Sequence, residues 1–397
     1  LFKKGADVIS PMRLYAIIWS LAIGMAELKL SRFQNEWSAY SWIVMSTCIL
    51  GTLIGMFALY VVNFGKASFP VSEIREYFKS YNIKSKYLFF AVIALFISYI
   101  VSYVAIYLIQ GYIPYFTLHP DTARTKWGGI FGIGLLVQAI PSILYLVFIY
   151  YVFVRKEKLK KTILVIIALL TVITYLFILQ RYFLILPLIM VFVLGYYCTK
   201  KISKRNVLIF VLLAGIILYG ISSLRVSAYA FNILYVISEM KVPVKYAFIS
   251  EPYMYVVMNL ENFARACNYL DNFNYGFFTF DFVLALTGVK ASLTEYLRAP
   301  QFPYIITNSF NTYTMYFEFY RDFGIYGTGF LSFAFGAFAS HLFYRLKRKP
   351  DLNSISMYAV CIFVIIFSFF VPIISWLIFV FNVIVIYYVT KKIQIKD

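Results

Sequence analysis

Residues 39–62 run for 24 positions without a charged side chain, and residues 87–111 do the same for 25. A helix rising 1.5 Å per residue needs a run of about this length to cross roughly 30 Å of hydrocarbon. Comparable apolar runs lie near residues 12–29, 39–62, 86–109, 129–154, 161–179, 181–198, 206–223, 323–344, 355–371 and 373–391. The expected fold is therefore all-α: one polytopic integral membrane bundle of about ten transmembrane helices over residues 1–397. Run 12–29 is the weakest, ending in Glu27 and Lys29, and the last two runs share a turn at Pro372.

Composition agrees. With 62% hydrophobic, 21% aromatic and 13% charged residues, a soluble globule would have too little polar surface to cover its apolar content. A net charge of +19 would point to nucleic acid in a soluble protein. Here the cations sit in the loops between apolar runs, which removes nucleic acid as an expected partner and leaves the lipid bilayer. Their placement also orients the chain. Of 36 Lys and Arg, 24 fall in the termini and in alternate loops at 66–86, 155–161, 200–205 and 345–349. The other loops hold 12, together with 11 of the 17 acidic residues. Cytoplasmic loops carry the excess of Lys and Arg, so both termini are expected in the cytoplasm and the acidic loops outside.

Cysteine and histidine exclude two classes of chemistry. Cys48 and Cys361 fall inside apolar runs, Cys198 ends another, and Cys267 is expected in an external loop, so there is no paired disulfide framework. His119 and His341 are the only histidines, and no Cys/His/Asp group has metal-ligand spacing. Neither a metal nor a cofactor is expected. The glycines at 128, 129, 132 and 134 lack the Lys and Ser/Thr of a phosphate-binding loop.

The longest connection, residues 224–322, is expected outside the membrane as part of the site. It is too long for a connector and too rich in Tyr and Phe for a disordered linker. Within it, residues 254–270 place Tyr255, Met258, Phe263, Tyr269 and Leu270 among Asn259, Glu261, Asn262, Arg265 and Asn268. This pattern predicts a short amphipathic helix lying on the membrane surface. Gly276, Gly288, Pro300 and Pro303 then punctuate a returning coil.

Candidate chemistry clusters on the same side. Gln180-Arg181 interrupts an apolar stretch running from Ile163 to Tyr197, so two helices must meet there. An arginine at mid-bilayer costs about 2.5–3.5 kcal/mol, which favours an outer turn. Arg181 then either snorkels to headgroups or clamps an anion, and Arg225, ending the next run, can converge with it. Guanidinium forks suit phosphate oxygens. Arg265, Lys290 and Arg298 extend the cationic set. Asn311, Thr314 or Met315, Glu318 and Asp322 are spaced to place their polar members on one helical face. Glu318 and Asp322 then offer a general base and a charge partner for Arg321, or simply an exposed first turn with an ion pair. His119 and Asp121 can exchange protons outside, although a lone loop histidine is usually only solvated.

From Asn311-Thr312-Tyr313 through Asp322-Phe323-Gly324-Ile325-Tyr326-Gly327 the chain resembles the oligosaccharide repeat-unit polymerases, the Wzy class of O-antigen and capsule assembly. Those proteins carry an Asn-x-Tyr element and an Asp-Phe-Gly-x-x-Gly turn into a late spanning helix. Ser10-Pro11, the Arg181 hinge and Tyr275-Gly276 are similar too. The resemblance implies a glycosyltransferase at the outer face of the bacterial cytoplasmic membrane. It would join oligosaccharide repeat units carried on undecaprenyl diphosphate, with a chain-length regulator and a flippase as partner proteins. It further implies that Arg181, Arg225 and Arg265 bind diphosphate, that Asn311, Tyr313, Arg321 and Tyr275 contact glycan, and that Asp322 and Glu318 carry the catalysis. The related O-antigen ligases carry a histidine near the position of Asn311, absent here. Rival readings are a lipid-linked oligosaccharide flippase, which would place charges along a path through the apolar spans, and a single-sugar transferase, which usually has acidic residues in its first external loop. Glu27 and Glu36 are the acidic residues there.

Overall fold

The computed structural model of the protein describes residues 7–130, 132–180, 182–199, 209, 212, 230–297 and 302–395. Among the described residues every regular element is helical, and pairing between extended backbone is limited to the isolated bridges Ser31 to Met240 and Ile83 to Gln394. Five helical segments there are long and apolar enough to cross a membrane: Ala39–Asn63, Ser85–Phe116, Ile133–Phe153, Lys158–Leu176 and Tyr316–Arg348. Other expected runs correspond to the shorter helices Pro11–Glu27, Tyr182–Cys198, Leu352–Phe367 and Leu377–Lys392. Run 206–223 falls almost wholly outside the described residues.

The chain divides into two compact units. One comprises Leu1–Ser68, Tyr229–Arg348 and Cys361–Val380; the other comprises Phe69–Ala228, Lys349–Val360 and Phe381–Asp397.

In the first unit, Ala39–Asn63 packs along Tyr316–Arg348. The sequence permits this because glycines face each other. A Cβ on Gly55 would lie 2.1 Å from the Phe333 carbonyl oxygen, and one on Gly336 would lie 2.0 Å from that of Thr52. Small residues at such crossings let helix backbones approach closely, which is how helices associate where water supplies no hydrophobic drive. The opposite face of Ala39–Asn63 presents Leu50, Ile54, Phe57 and Val61, all more than half exposed, at spacings i, i+4, i+7 and i+11. An exposed apolar stripe on a helix that turns Ser41, Thr52 and Asn63 inward matches a lipid environment. Side-chain hydrogen bonds tie the unit together. The hydroxyls of Tyr15 and Tyr316 pair, Thr52 Oγ1 lies 2.8 Å from Tyr316 Oη, and Trp19 Nε1 donates to Ser368 Oγ at 2.8 Å.

In the second unit, Ser85–Gln110 packs on Ile133–Val137, Ile140–Phe153 and Lys158–Leu176, and Ile140–Phe153 also packs on Tyr182–Cys198. One expected run, 129–154, is broken into Ile133–Val137 and Ile140–Phe153. Pro141 has no N–H to return to the Val137 carbonyl, so a continuous helix would lose that bond. Buried amides hold the break: Asn382 Nδ2 donates to the Gln138 carbonyl at 2.9 Å, and Ser142 Oγ donates to Asn382 Oδ1 at 2.7 Å. Lys158–Leu176 ends before Gln180 and a second helix, Tyr182–Cys198, follows; Arg181 itself lies outside the described residues.

Candidate functional site

The site lies in the first unit, where helix Ser250–Tyr269 meets the coil at 302–315 and the start of Tyr316–Arg348. The expectation of a surface-lying amphipathic helix at 254–270 is corrected here. The helix forms, but it is buried against Pro11–Glu27 and Ala39–Asn63, with Asn259 and Asn262 fully covered and Cys267 buried as well. Its polar face is satisfied by protein backbone in place of water and headgroups. Asn262 Nδ2 donates to the carbonyls of Phe310 and Thr312 at 2.8 and 3.0 Å, and Asn262 Oδ1 accepts from the Ile306 amide at 3.0 Å. The Thr312 hydroxyl donates to Asn259 Oδ1. Unpaired buried amides are costly, so these bonds specify the path of the returning coil.

The single helical face expected over 311–322 is likewise corrected. Residues 311–314 belong to the coil, and the helix starts at Tyr316. Asn311 is exposed in that coil. Tyr313 is buried, stacks on Phe317 with centroids 3.7 Å apart, and donates its hydroxyl to the Pro303 carbonyl. Glu318, Arg321 and Asp322 do share one helical turn. Arg321 is 2% exposed; its Nη1 lies 3.5 Å from Glu318 Oε2, and its guanidinium carbon lies 3.1 Å from the centroid of the Phe278 ring.

The helix is interrupted just after this cluster, at Gly324 (φ 63°, ψ −164°). Side chains with a Cβ essentially never adopt that conformation. The interruption frees carbonyls at the end of the preceding turns, and residues 274–279 cap them. Asn274 donates from both its backbone and side-chain nitrogens to the Arg321 carbonyl at 3.1 Å, and the Tyr275 amide donates to that of Asp322 at 3.0 Å. Asp322 Oδ2 accepts from the Thr279 and Phe278 amides at 2.6 and 3.0 Å. Its carboxylate is fully buried and engaged as the anchor of this turn. The Tyr275 side chain projects into the open, 85% exposed.

Two outcomes follow from these contacts. Gly324→Ala must either straighten the helix or hold a strained residue whose Cβ meets the Phe273 ring at 2.8 Å. It is expected to cost about 1–3 kcal/mol, read as a lower melting temperature of the purified protein; an unchanged melt would show that the interruption is dispensable. Asp322→Ala removes two amide bonds to a carboxylate and is expected to cost about 1.5–3 kcal/mol. Hydrogen exchange over 274–280 should accelerate, and unchanged protection there would remove the anchoring role.

The same unit holds a pocket of about 240 Å³ lined by Asn35, Glu36, Trp37, Glu261, Ala264, Arg265, Asn268, Tyr269 and Ile306. Glu261, Arg265 and Asn268 reach it because they stand at i, i+4 and i+7 of one helix. Arg265 is exposed, with its guanidinium 5.9 Å from the Tyr269 ring centroid. Glu261 is 3% exposed, and burial raises its carboxyl from its ordinary value against the opposing pulls of Trp37 and Lys29.

The structure therefore brings together Glu318, Arg321, Asp322, Tyr313 and the backbone of Tyr275, whereas Arg265 lines the pocket. Arg181 and Arg225 lie outside the described residues. Trp37 and Glu261 were missed as site residues on sequence reasoning; the i, i+4 spacing of Glu261 and Arg265 was the available signal, and Trp37 offered none. No family model, curated protein or solved structure matches the chain.

Proposed function

We propose that this protein is a membrane glycosyltransferase that polymerises oligosaccharide repeat units carried on undecaprenyl diphosphate. The observation that carries the reading is the buried Glu318–Arg321 pair at the head of an apolar helix, in the same unit as a polar pocket walled by Trp37 and Tyr269. In this reading about ten helices span the bacterial cytoplasmic membrane, both termini are cytoplasmic, and residues 224–322 lie outside. The asymmetric distribution of Lys and Arg supports that orientation.

A diphosphate is already a good leaving group, so the enzyme's task is to neutralise its charge and to position the acceptor. A hydroxyl of the acceptor repeat unit attacks the anomeric carbon of the donor glycan. The bond between that carbon and the diphosphate oxygen breaks, undecaprenyl diphosphate leaves with the bonding pair, and Glu318 takes the hydroxyl proton. Arg321 holds the Glu318 carboxylate in place. Asp322 is a positioning residue that acts through the 274–279 turn. Arg181 and Arg225 are assigned to the diphosphate on the strength of the resemblance.

The deciding experiment incubates the purified protein in liposomes with an undecaprenyl-diphosphate repeat unit and reads the product as a ladder on a gel. A ladder formed without nucleotide sugar is the expected result. Intact protein that gives no ladder with matched substrate would overturn the reading in favour of a flippase or a single-sugar transferase.

A further inference from the structure

Resting on the reading of this site as glycan-processing, we propose that the pocket between Asn35–Trp37 and the last turns of Ser250–Tyr269 is a subsite for one neutral sugar ring, with Tyr269 as its stacking platform and Arg265 bound to sugar hydroxyls. This moves Arg265 away from diphosphate.

Size, charge and shape each argue for it. At about 240 Å³ the pocket falls below the roughly 300–1,000 Å³ of drug-sized ligand sites. That is room for a single ring with its substituents. Its lining sets Glu36 and Glu261 against Arg265, and Lys29 stands beside it with its Nζ 5.8 Å from the Trp37 ring centroid, so acidic and basic groups balance. A multiply charged anion entering there would meet at least as much repulsion as attraction, whereas diphosphate sites need an excess of positive charge. Sugar hydroxyls both donate and accept, and a mixed lining of carboxylate, amide and guanidinium satisfies them without a net field.

Ring faces complete the site. Tyr269 is 56% exposed and is held flat by Tyr304, with centroids 5.8 Å apart and planes 27° from parallel. Trp37 is buried between Trp42, with centroids 4.7 Å apart, and Lys29, and so forms a wall of the pocket and not a stacking face. A pre-ordered aromatic face such as that of Tyr269 binds the apolar face of a pyranose at little entropic cost. Asn268 Oδ1 accepts from the Ser38 hydroxyl at 2.6 Å, which orients the amide, with Nδ2 as its donor. Tyr253 and Tyr255 stand on the same helix but do not line the pocket. Tyr253 is buried, and its hydroxyl donates to Gln34 Oε1 at 2.6 Å.

The test uses the full-length protein in lipid nanodiscs. The probes are three neutral disaccharides (lactose, maltose and N,N′-diacetylchitobiose) and inorganic diphosphate, with binding read by saturation-transfer NMR for the sugars and by calorimetry for diphosphate. At least one disaccharide is expected to bind saturably. Tyr269→Ala should weaken that binding about tenfold and Tyr269→Phe should preserve it. Arg265→Ala should weaken the sugar and leave diphosphate binding unchanged. Both side chains are exposed, so these variants keep the fold. The subsite is overturned if no disaccharide binds, if Tyr269→Ala binds like wild type, or if Arg265→Ala removes a diphosphate site. Sugar binding without polymerisation would fail the functional reading alone. A wild-type ladder from Tyr269→Ala and Arg265→Ala would fail the subsite alone.

Discussion

Glu318→Gln is expected to lower repeat-unit transfer by about 10²–10⁴-fold, the usual contribution of a positioned general base. Glutamine has nearly the same shape but cannot take the proton of the attacking hydroxyl. The complication is Arg321, which is 2% exposed and loses its ion partner. Removing one member of a buried pair can destabilise by about 3–5 kcal/mol. Here Asp322 remains in the field of the guanidinium, and the Phe278 ring still covers its face, so part of that cost is offset. The rate must therefore be normalised to folded protein, with the melting temperature measured alongside. Glu318→Asp, which keeps a carboxylate, should retain more activity than Glu318→Gln. Folded Glu318→Gln protein that forms ladders within a few-fold of wild type would remove Glu318 from the chemistry.

The second large effect is on stability. Gly55→Leu and Gly336→Leu are each expected to leave little folded protein, and the alanine variants to cost about 1–3 kcal/mol or more. The atoms in the way are backbone: the Phe333 oxygen and the Ala337 nitrogen, 2.1 and 2.9 Å from a Cβ on Gly55, and the Thr52 oxygen, 2.0 Å from one on Gly336. No rotamer change relieves such a contact, so the two helices must separate. Separation would also pull Thr52 away from the Tyr316 hydroxyl, 2.8 Å distant, and break up the buried hydroxyl group that includes Tyr15. Gly24→Ala is the control, because no atom lies within 4 Å of its would-be Cβ. It should be neutral or stabilising by about 0.4–1 kcal/mol. Melting temperatures followed by tryptophan fluorescence decide the matter; Gly55→Ala melting like Gly24→Ala would mean that the helices are not in close contact.

Both effects depend on features that are unequally visible in the chain. The glycines at 51, 55, 329 and 336 can be read as small residues in apolar runs, but nothing in their spacing says which helix meets which. The Glu318, Arg321 and Asp322 trio is legible as one turn of helix, because i, i+3 and i+4 spacing follows from helical geometry alone. That the turn is capped by residues 274–279, more than 40 positions earlier in the chain, is not.

Local physics was therefore sufficient for whatever the backbone period and the solvent decide. Long uncharged runs imply helices that bury their own hydrogen bonds in lipid, and five such segments are present. Pro141 breaks one of them by a missing N–H. The existence of helix Ser250–Tyr269 followed from its apolar spacing too. Its surroundings did not, since Asn259, Asn262 and Glu261 look alike whether their partners are water, headgroups or protein backbone. Only the tertiary structure decided that Asn259 and Asn262 hold the 306–312 coil, that Gly324 interrupts a helix the pattern would have continued, and that Asp322 is spent on backbone amides. Hydrogen-bonding capacity is a property of the residue, whereas the partner that satisfies it is a property of the fold.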